Sequence, residues 1–301
     1  MASVRHRLPP DVLLLVTVLF WSFNFTAAKY ALTHGFAPLV YSAFRFGVGA
    51  LLFAGFTYAR EHTVRVQRGD VLLLLGAATL GIWLNQVTFV YAVELTTAAT
   101  VALMFGTLPI FVALIASLAG LGRLRVRFWL ATALSFGGVV LVALGASGGL
   151  RGDIGGILLG LGAAGTWAAY SLVIGVLMRR YSPYRISALV LLAGCVPLFA
   201  TAFQQLLEQD WTEPGALAWA AVIYGLLFSL VATNILWFTA IDRVGAARSS
   251  LYANLQPFLG AVFAVLILSE SMSPLQVAGG FLLAAAIILA GRGRPVVMDV
   301  D

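Results

Sequence analysis

Ten apolar runs divide the chain, and each approaches or exceeds the roughly 20 residues that a helix needs to cross a bilayer. Composition agrees with this, because 61% of the 301 residues are hydrophobic and only 10% are charged, against roughly 25% charged in a soluble domain. The sequence therefore predicts an all-α polytopic membrane protein. Its ten transmembrane helices are expected at residues 11–33, 38–59, 70–92, 97–119, 127–146, 154–178, 184–206, 215–240, 246–268 and 274–291.

The basic residues indicate how these spans are oriented. When successive connections are assigned to alternate sides, 15 of the 18 Lys and Arg residues fall on one side. Lys29 and Arg151 fall toward the other side, and Arg45 lies within a span. Cytoplasmic loops accumulate positive charge, so both termini are predicted to be cytoplasmic, in the inner (plasma) membrane. The high pI is thus a topology signal, and no nucleic-acid partner is expected.

The N-terminus has a second interpretation. Arg5 and Arg7, followed by the apolar residues 12–20, resemble a secretory signal with small residues at 26–28 for cleavage. The run continues to Phe25, however, and nine more spans follow. An uncleaved first span is therefore the favoured prediction.

The chain repeats itself at a constant offset of 148 residues. Residues 89–111 and 237–259 share one pattern, which places Glu94 over Asp242 and Pro109 over Pro257. The pairs Ala98-Ala99 and Ala246-Ala247, and Leu103 and Leu251, match at the same offset. Similar composition explains scattered Ala and Leu matches, but explains less well an acid, an Ala-Ala pair and a proline at one spacing.

The repeat predicts two halves of five spans each. The boundary lies near residues 145–153, so the halves are expected at 11–148 and 152–292. Trp21 pairs with Trp167 at an offset of 146, and Pro38 with Pro183 at 145, as small loop insertions would produce. Because five is odd, the second half enters the bilayer from the opposite face, which makes an inverted-topology repeat.

The fourth and ninth spans carry the strongest candidate site. A proline inside an apolar helix bends it and frees a carbonyl, which only protein or water can satisfy in a membrane. Two such kinks at equivalent positions point to a binding site near the bilayer midplane. The predicted residues of this site are Met104, Tyr252, Asn254 and Gln256 for substrate binding, with Pro109 and Pro257 in structural or gating roles.

Further candidates are polar and aromatic residues near the middle of their spans. Gln86 and Asn234 occupy equivalent repeat positions and either reach substrate or form interhelical hydrogen bonds, which are worth about 0.6 kcal/mol on average. Asn24 is expected to point inward, because an amide facing lipid is costly. An aromatic cavity for apolar or aromatic metabolites is predicted from Trp21, Trp167, Trp237 and Tyr252, with Tyr170 adding a hydroxyl next to Trp167.

The order of several short motifs resembles one transporter family. The motifs are Trp21-Ser22-Phe23-Asn24-Phe25, Arg45-Phe46, Pro109, Asn254-Leu255-Gln256-Pro257 and Ser269-Glu270. Across roughly residues 10–292 the chain resembles the EamA-type members of the drug/metabolite transporter superfamily. The resemblance implies two EamA-like repeats and a polytopic transporter, most often an exporter of amino acids or other small metabolites. One departure is that no acid analogous to Glu270 follows the fourth span.

Arg45 has two interpretations. It lies about seven residues inside the second span, where a guanidinium either anchors a substrate carboxylate or snorkels and bonds to helix-end carbonyls. Because Arg45-Phe46 is a general feature of the resembling family rather than a substrate-specific one, the structural role is favoured.

The residues argue against an enzyme. His6, His34 and His62 fall at span ends or in loops, no carboxylate pair lies within the hydrocarbon, and Cys195 is the single cysteine. The convergent acid, base, nucleophile or metal set of an active site is therefore missing. No cofactor and no metal are expected, and the expected partners are a small-molecule substrate and the lipid bilayer. The sequence does not specify an oligomeric state.

The resulting prediction is a carrier that works by alternating access, with an exporter of amino acids or related apolar or aromatic metabolites as the favoured case. Nucleosides and drugs stay open as substrates. A non-transporting accessory membrane protein is the alternative from a different class, although symmetric kinks and mid-span amides weigh against it.

Overall fold

The computed structural model describes residues 8–63, 65–120, 126–145, 154–244 and 252–291, and these are helical with no strand. The predicted matches at Ala246, Ala247 and Leu251, and most of the predicted boundary at 145–153, lie outside the described residues. The α-helices are α1 Pro10–Thr33, α2 Pro38–Glu61, α3 Val71–Ala78, α4 Asn85–Leu95, α5 Ala98–Phe105, α6 Leu108–Leu118, α7 Val126–Leu144, α8 Ile154–Leu177, α9 Pro183–Glu208, α10 Ala216–Leu226, α11 Thr233–Val244, α12 Gln256–Leu268 and α13 Pro274–Gly291.

Prolines set where several of these helices begin. Pro38 and Pro183, which the sequence pairs at an offset of 145, are the first residues of α2 and α9. Proline suits this place because the first helical N–H has no partner in the helix and the ring fixes a helical φ. The Ser182 hydroxyl also caps α9 by accepting a hydrogen bond from the Arg185 N–H.

Seven helical segments of the described chain are long and apolar enough to cross a membrane: Pro10–Thr33, Pro38–Glu61, Arg68–Leu95, Ala98–Leu118, Ile154–Leu177, Pro183–Glu208 and Ala216–Trp237. Three shorter apolar helices are Trp129–Val142, Gln256–Leu268 and Pro274–Leu289. Large apolar side chains cover the outside, such as Leu72 at 82% exposed and Phe281 at 73%, as expected of a surface that faces lipid. The chain is an all-helical polytopic membrane protein, and its crossing the bilayer ten times stays a prediction.

Helix contacts are reciprocal between the two halves. α1 packs against α11 and α12, and its counterpart α8 packs against α4 and α6. Two further contacts join equivalent helices to each other, α2 with α9 and α7 with α13, and α5 of the fourth span packs against α12 of the ninth. Each half therefore buries its apolar faces mainly against the other half.

Two π-helical segments, which the sequence did not predict, repeat the offset of 148 residues. The first, Thr79–Leu84, joins α3 to α4, and the second, Leu227–Ala232, joins α10 to α11. Single π-helical turns within α-helices are rare and occur often at functional sites. Here they immediately precede Asn85-Gln86 and Thr233-Asn234, so they set the direction of the candidate amides.

Two glycines make the close helix crossings at these π-helical segments. A Cβ on Gly194 of α9 would collide with Ile82 of the first segment, and a Cβ on Gly49 of α2 would lie 2.5 Å from Cδ2 of Leu230 in the second. Gly49 and Gly194 are 145 residues apart. The two crossings are thus one contact made twice, with the halves exchanged.

Candidate functional site

Each predicted proline kink is a break of the helix rather than a bend. α5 ends at Phe105, and α6 begins at Leu108 with Pro109 in its first turn. The equivalent break precedes Gln256, the first residue of α12, with Pro257 next in sequence. Proline fits the first turn of a new helix but not a helix interior, which explains why both interruptions lie just before the ring.

The same hydrogen bond closes both breaks. The Thr107 N–H donates to the Met104 carbonyl over 3.0 Å, and the Leu255 N–H donates to the Tyr252 carbonyl over 3.0 Å. These donors and acceptors are each 148 residues apart. Only the first copy adds a side-chain bond, from the Thr107 hydroxyl to the Met104 carbonyl at 2.7 Å.

The two breaks face each other around one small crevice. A Cβ on Gly106 would lie 3.8 Å from Cβ of Pro257. The crevice has a volume of about 20 Å³, which is room for about one water. It is lined by Phe105, Gly106, Leu108, Pro109, Ala253, Asn254, Gln256, Pro257 and Ile287. The structure thus brings Pro109, Asn254, Gln256 and Pro257 together, in a conformation that is closed to anything as large as a metabolite.

Met104, another predicted binding residue, belongs to the core in this conformation. Its side chain is fully buried, and a Cβ on Gly160 of α8 would lie 3.2 Å from its Cγ. Its observed role is therefore packing between α5 and α8.

The predicted aromatic cavity separates into two groups. The rings of Trp21 and Trp237 are 5.0 Å apart, and both Trp237 and Tyr252 pack on the apolar cluster of Leu13, Leu14 and Ala240. The ring contact of Trp167 is instead with Tyr170, at 5.1 Å. Tyr170 fills the space above Gly81 in the first π-helical segment, where a Cβ would collide with its ring. Tyr170 thus lies against the third span, and among the described residues no ring contact joins Trp167 or Tyr170 to the other aromatic group.

The two candidate amides are used within the protein, but in different ways. Gln86 accepts a hydrogen bond from Ser42 of α2 at 3.1 Å and donates to Oδ1 of Asn85 at 3.0 Å. Asn85 in turn donates to the Ala163 carbonyl of α8. Asn234 donates to the Leu230 carbonyl in its own helical segment at 2.6 Å. The first amide is part of an interhelical network, whereas the second satisfies a carbonyl of the second π-helical segment.

Asn24, at mid-depth in α1, retains an unsatisfied group. Its Oδ1 is buried and has no hydrogen-bond partner. Two residues earlier, the Ser22 hydroxyl bonds to the Val18 and Gln256 carbonyls, at 2.6 and 3.2 Å. α1 therefore bonds to the first carbonyl of α12, next to the break, and carries a spare acceptor close to this serine in sequence.

Two charged residues at the predicted outer end have roles that the sequence did not reveal. Lys29, which the sequence assigns to the side opposite the basic one, donates from Nζ to the Val93 carbonyl at 2.8 Å and to the Thr96 carbonyl at 2.7 Å. The Glu270 carboxylate accepts from the N–H groups of Ala98 and Ala99, at 2.9 and 3.0 Å. A cation thus caps the C-terminal end of α4 and an anion caps the N-terminus of α5, as the helix dipoles favour.

A glutamine pair adds to the closure of the outer end. Gln209 accepts from the Ala37 N–H and donates to the Gly35 carbonyl, which fastens the start of α2 to the end of α9. Gln205, one turn earlier in α9, accepts from the Leu39 N–H and donates to the Tyr91 hydroxyl. These bonds and the Glu270 cap join both halves at this end, whereas the Lys29 cap lies within the first half.

Ion pairs connect the halves at the predicted cytoplasmic end. Asp70, which is 2% exposed, pairs with Arg180 at 2.6 Å and accepts a hydrogen bond from the Tyr181 hydroxyl at 2.7 Å. Glu61 pairs with Arg185 at 2.7 Å. Burial, together with the hydrogen bond to Asp70, raises the pKa of Tyr181, so this hydroxyl keeps its proton and remains a donor at neutral pH.

Arg45 is buried rather than extended toward the surface. It is 3% exposed, its Nη2 donates to the Gly225 carbonyl at 3.2 Å, and its guanidinium lies over the Tyr41 ring at 4.7 Å. Its bond to a carbonyl near the end of α10 agrees with the structural interpretation. Its Nε and Nη1, however, have no hydrogen-bond partner.

Metal-site chemistry is not assembled in the described part of the chain. No group of three or more His, Cys, Asp or Glu side chains is close enough there to hold an ion. Cys195 is a free, buried thiol.

Comparison with known proteins decides the family. The EamA-like transporter family matches the chain twice, over residues 8–144 and 154–292. The chain belongs to the EamA-like transporter family. Membership supports transport across a membrane rather than catalysis, and it confirms the resemblance seen in the sequence motifs.

The relatives are named as transporters. The chain is 25% identical to the uncharacterized transporter YwfM of Bacillus subtilis (strain 168), over 88% of this chain and 87% of that one. It is 25% identical to YvbV of the same organism, over 92% and 90%. The match to a third, YetK, is 24% identical and spans 67% of this chain but only 62% of YetK.

A crystal structure of another protein has the same fold. It superimposes with a TM-score of 0.65 at 18% identity, covering 93% of this chain and 96% of that one. At this identity, the likeness concerns the arrangement of helices alone.

Proposed function

We propose that this EamA-family transporter is a carrier of small organic metabolites in the inner membrane, with both termini in the cytoplasm. Residues 11–148 and 152–292 form two inverted halves of five spans each, which rock against each other around a central site. The favoured substrates are amino acids or related apolar and aromatic metabolites, moved outward.

The observation that carries this proposal is the repetition of irregular backbone at an offset of 148 residues. Helix breaks at 106–107 and 254–255 meet at one crevice, and π-helical segments lie at 79–84 and 227–232. Irregular backbone is tolerated at membrane depth only where protein or a cavity satisfies it. Paired discontinuous helices at the interface between repeats are the usual place of a transporter's substrate site.

The groups around the breaks favour a substrate that is mostly apolar with a few polar atoms. Trp21 and Trp237 offer aromatic faces, Asn24 offers a spare carbonyl oxygen, and Asn254 and Gln256 line the crevice. No carboxylate belongs to this group, which disfavours polycations. Nucleosides and drugs remain candidates that the same surfaces accommodate.

Alternating access assigns a role to the two ends. With the crevice closed, Glu270 and the Gln205–Gln209 pair hold the two halves together at the outer end, while Asp70 and Glu61 hold them together at the cytoplasmic end. Each opening has to break one of these sets of bonds. Hydrogen bonds between helices in membranes are individually weak. The free-energy difference between the inward-open and outward-open states is therefore small enough for substrate binding to offset it.

The direct test is flux in proteoliposomes. Uptake and efflux of radiolabelled amino acids, nucleosides and aromatic drugs are measured with and without a pH gradient, using protein shown to be folded and inserted. Saturable flux establishes a carrier, and its response to the gradient distinguishes proton coupling from exchange. No flux of any compound would favour the accessory-protein alternative.

Replacing a break proline tests the mechanism. Pro257→Ala allows the ninth span to continue as a straight helix, and we expect maximal flux to fall by about tenfold, equivalent to about 1.4 kcal/mol in the barrier. Pro274→Ala is the matched control, because Pro274 is exposed at the first position of α13. Both variants should insert at normal abundance. Unchanged flux in Pro257→Ala would show that the break is not part of the transport cycle.

A further inference from the structure

Arg45 and Tyr41 form a buried polar pair with unused hydrogen-bonding capacity. They lie one turn apart on α2, at 3% and 0% exposed. The Nε and Nη1 of Arg45 and the hydroxyl of Tyr41 have no hydrogen-bond partner. Neither of the two ion pairs among the described residues includes Arg45, so its charge is not neutralised by any described carboxylate.

The repeat shows that the fold does not require polar residues here. At the offset of 145 that relates Pro38 to Pro183 and Gly49 to Gly194, Tyr41 corresponds to Ile186 and Arg45 to Val190. Both counterparts are 1% exposed and belong to an apolar cluster. At these positions the second half therefore packs with two ordinary apolar residues. The first half has a polar residue at both of them.

The energetic cost of this departure indicates a ligand. Arg45 keeps its bond to the Gly225 carbonyl and its contact with the Tyr41 ring, but it has no ionic partner among the described residues. A buried charge without an ionic partner is expensive, and ionisable residues in membrane spans usually line substrate or ion paths. A guanidinium with free donors matches a carboxylate, which accepts two hydrogen bonds in its plane. The Tyr41 hydroxyl adds a third donor one turn away.

The neighbouring helix packs closely against the guanidinium, at a position where only glycine fits. A Cβ on Gly225 of α10 would lie 2.6 Å from Nε of Arg45, so a larger residue there would press on this edge. The pair is closed off in the present conformation. For a ligand to reach the pair, α10 has to move away from α2, which is a movement between the two halves of the kind that alternating access requires.

We propose that Arg45, with Tyr41, binds the carboxylate of the transported molecule, so that the substrates are carboxylic acids such as amino acids or aromatic acids. This rests on the proposed carrier function and narrows its substrate class. Nucleosides and simple amines lack the group that the pair recognises, and they are excluded as principal substrates.

The test compares carboxylates with their neutral analogues. Flux into proteoliposomes is measured for L-phenylalanine, L-leucine and phenylpyruvate, for the amides of the two amino acids, for phenethylamine and for uridine. Wild-type protein should prefer a carboxylate to its amide by about 10- to 100-fold, since hydrogen bonds to charged groups contribute at this level. Competition by unlabelled analogues gives the same ratio for any compound that moves.

Three variants separate recognition from packing. Arg45→Met, apolar like Val190, should remain folded and lose the preference for carboxylates. Arg45→Lys should keep part of it, and Tyr41→Phe should raise the KM for carboxylates several-fold with maximal flux retained. Arg60→Met, which removes an exposed arginine from the same helix, is the control and should keep the wild-type ratio.

The outcomes distinguish this inference from the carrier function. Saturable flux of amides, amines or uridine at rates equal to those of carboxylates would overturn the carboxylate site and leave the carrier intact. A folded Arg45→Met variant that keeps the wild-type preference would also overturn it and return Arg45 to a packing role. Absence of flux for every compound would overturn the carrier function and the carboxylate site together.

Discussion

The two halves of the chain share their backbone geometry but not their polar side chains. Each half has a π-helical segment, a helix break before a proline and a glycine at a close crossing, and all of these repeat at offsets of 145 or 148 residues. The buried polar pair Tyr41 and Arg45 is not repeated, and Ile186 and Val190 stand at the equivalent positions. Symmetry is therefore maintained where helices pack against each other, and it is lost where side chains perform one local task.

Substitutions at the two glycine crossings should have the largest effect on stability. They should also differ between the halves, because the repeated contacts are not identical. A methyl group on Gly194 would meet Ile82 near its backbone and lie 2.9 Å from the Ala78 carbonyl oxygen. A methyl group on Gly49 would meet only the end of the Leu230 side chain, which can rotate away. We expect Gly194→Ala to lower the free energy of unfolding by about 2–3 kcal/mol and Gly49→Ala by less than about 1 kcal/mol.

Thermal unfolding in detergent micelles, followed by circular dichroism, measures both variants. Gly55→Ala is the control, since a methyl group there would have no neighbour within 4 Å, and alanine is the better helix former. Equal losses in Gly49→Ala and Gly194→Ala would mean that the two crossings tolerate added volume equally.

Removing the Glu270 cap of α5 should have the next largest effect on stability. Glu270→Ala leaves the N–H groups of Ala98 and Ala99 without their acceptor, and we expect a loss of about 2 kcal/mol in stability. Glu270→Gln keeps one acceptor oxygen and should lose about half as much. The measurement is again thermal unfolding, with Glu208→Ala as the matched removal of an exposed carboxylate. A loss in Glu208→Ala as large as that in Glu270→Ala would mean that the cap contributes nothing specific.

Helix positions could be predicted from the sequence because they depend on local properties. Wherever the structure describes the chain, each predicted apolar run coincides with a helical segment. The predicted span 38–59, for example, is the helix Pro38–Glu61. Length, apolar composition and prolines at helix starts are all readable along the chain. The meeting of Pro109 and Pro257 at one crevice also followed from the repeat, which relates their positions before any contact is known.

The remaining features depend on contacts between distant residues. Thr79–Leu84 and Leu227–Ala232 have dissimilar sequences, and their π-helical form goes with the close crossings at Gly194 and Gly49. Lys29 caps carbonyls 64 to 67 residues away in the sequence. No local sequence pattern indicates a contact between residues so far apart in the chain. Trp167 has its ring contact with Tyr170 rather than with Trp21 or Trp237, and Tyr170 packs over Gly81 of the third span, a contact that the local sequence does not reveal.

Replacing the candidate amides, Gln86 and Asn234, should have the smallest effects on stability. The difference between the two variants separates a structural role from substrate contact. Gln86 connects α4 to α2 through Ser42 and to α8 through Asn85, whereas the one bond of Asn234 within the described part of the chain is to the Leu230 carbonyl of its own segment. We expect Gln86→Ala to cost about 1 kcal/mol of stability, within the range for interhelical bonds in membranes, and Asn234→Ala less than about 0.5 kcal/mol. Thermal unfolding of the two variants side by side gives the difference.

The same two variants separate structure from substrate contact, because the bonds of Asn234 are not needed to hold helices together. If Asn234 contacts the substrate during transport, Asn234→Ala should change the relative flux of different substrates while leaving stability nearly unchanged. Gln86→Ala should do the reverse, lowering stability and slowing all substrates alike. An unaltered substrate profile in Asn234→Ala would assign this amide to the π-helical segment alone, and the repeat would then have placed two amides at equivalent positions for purely structural reasons.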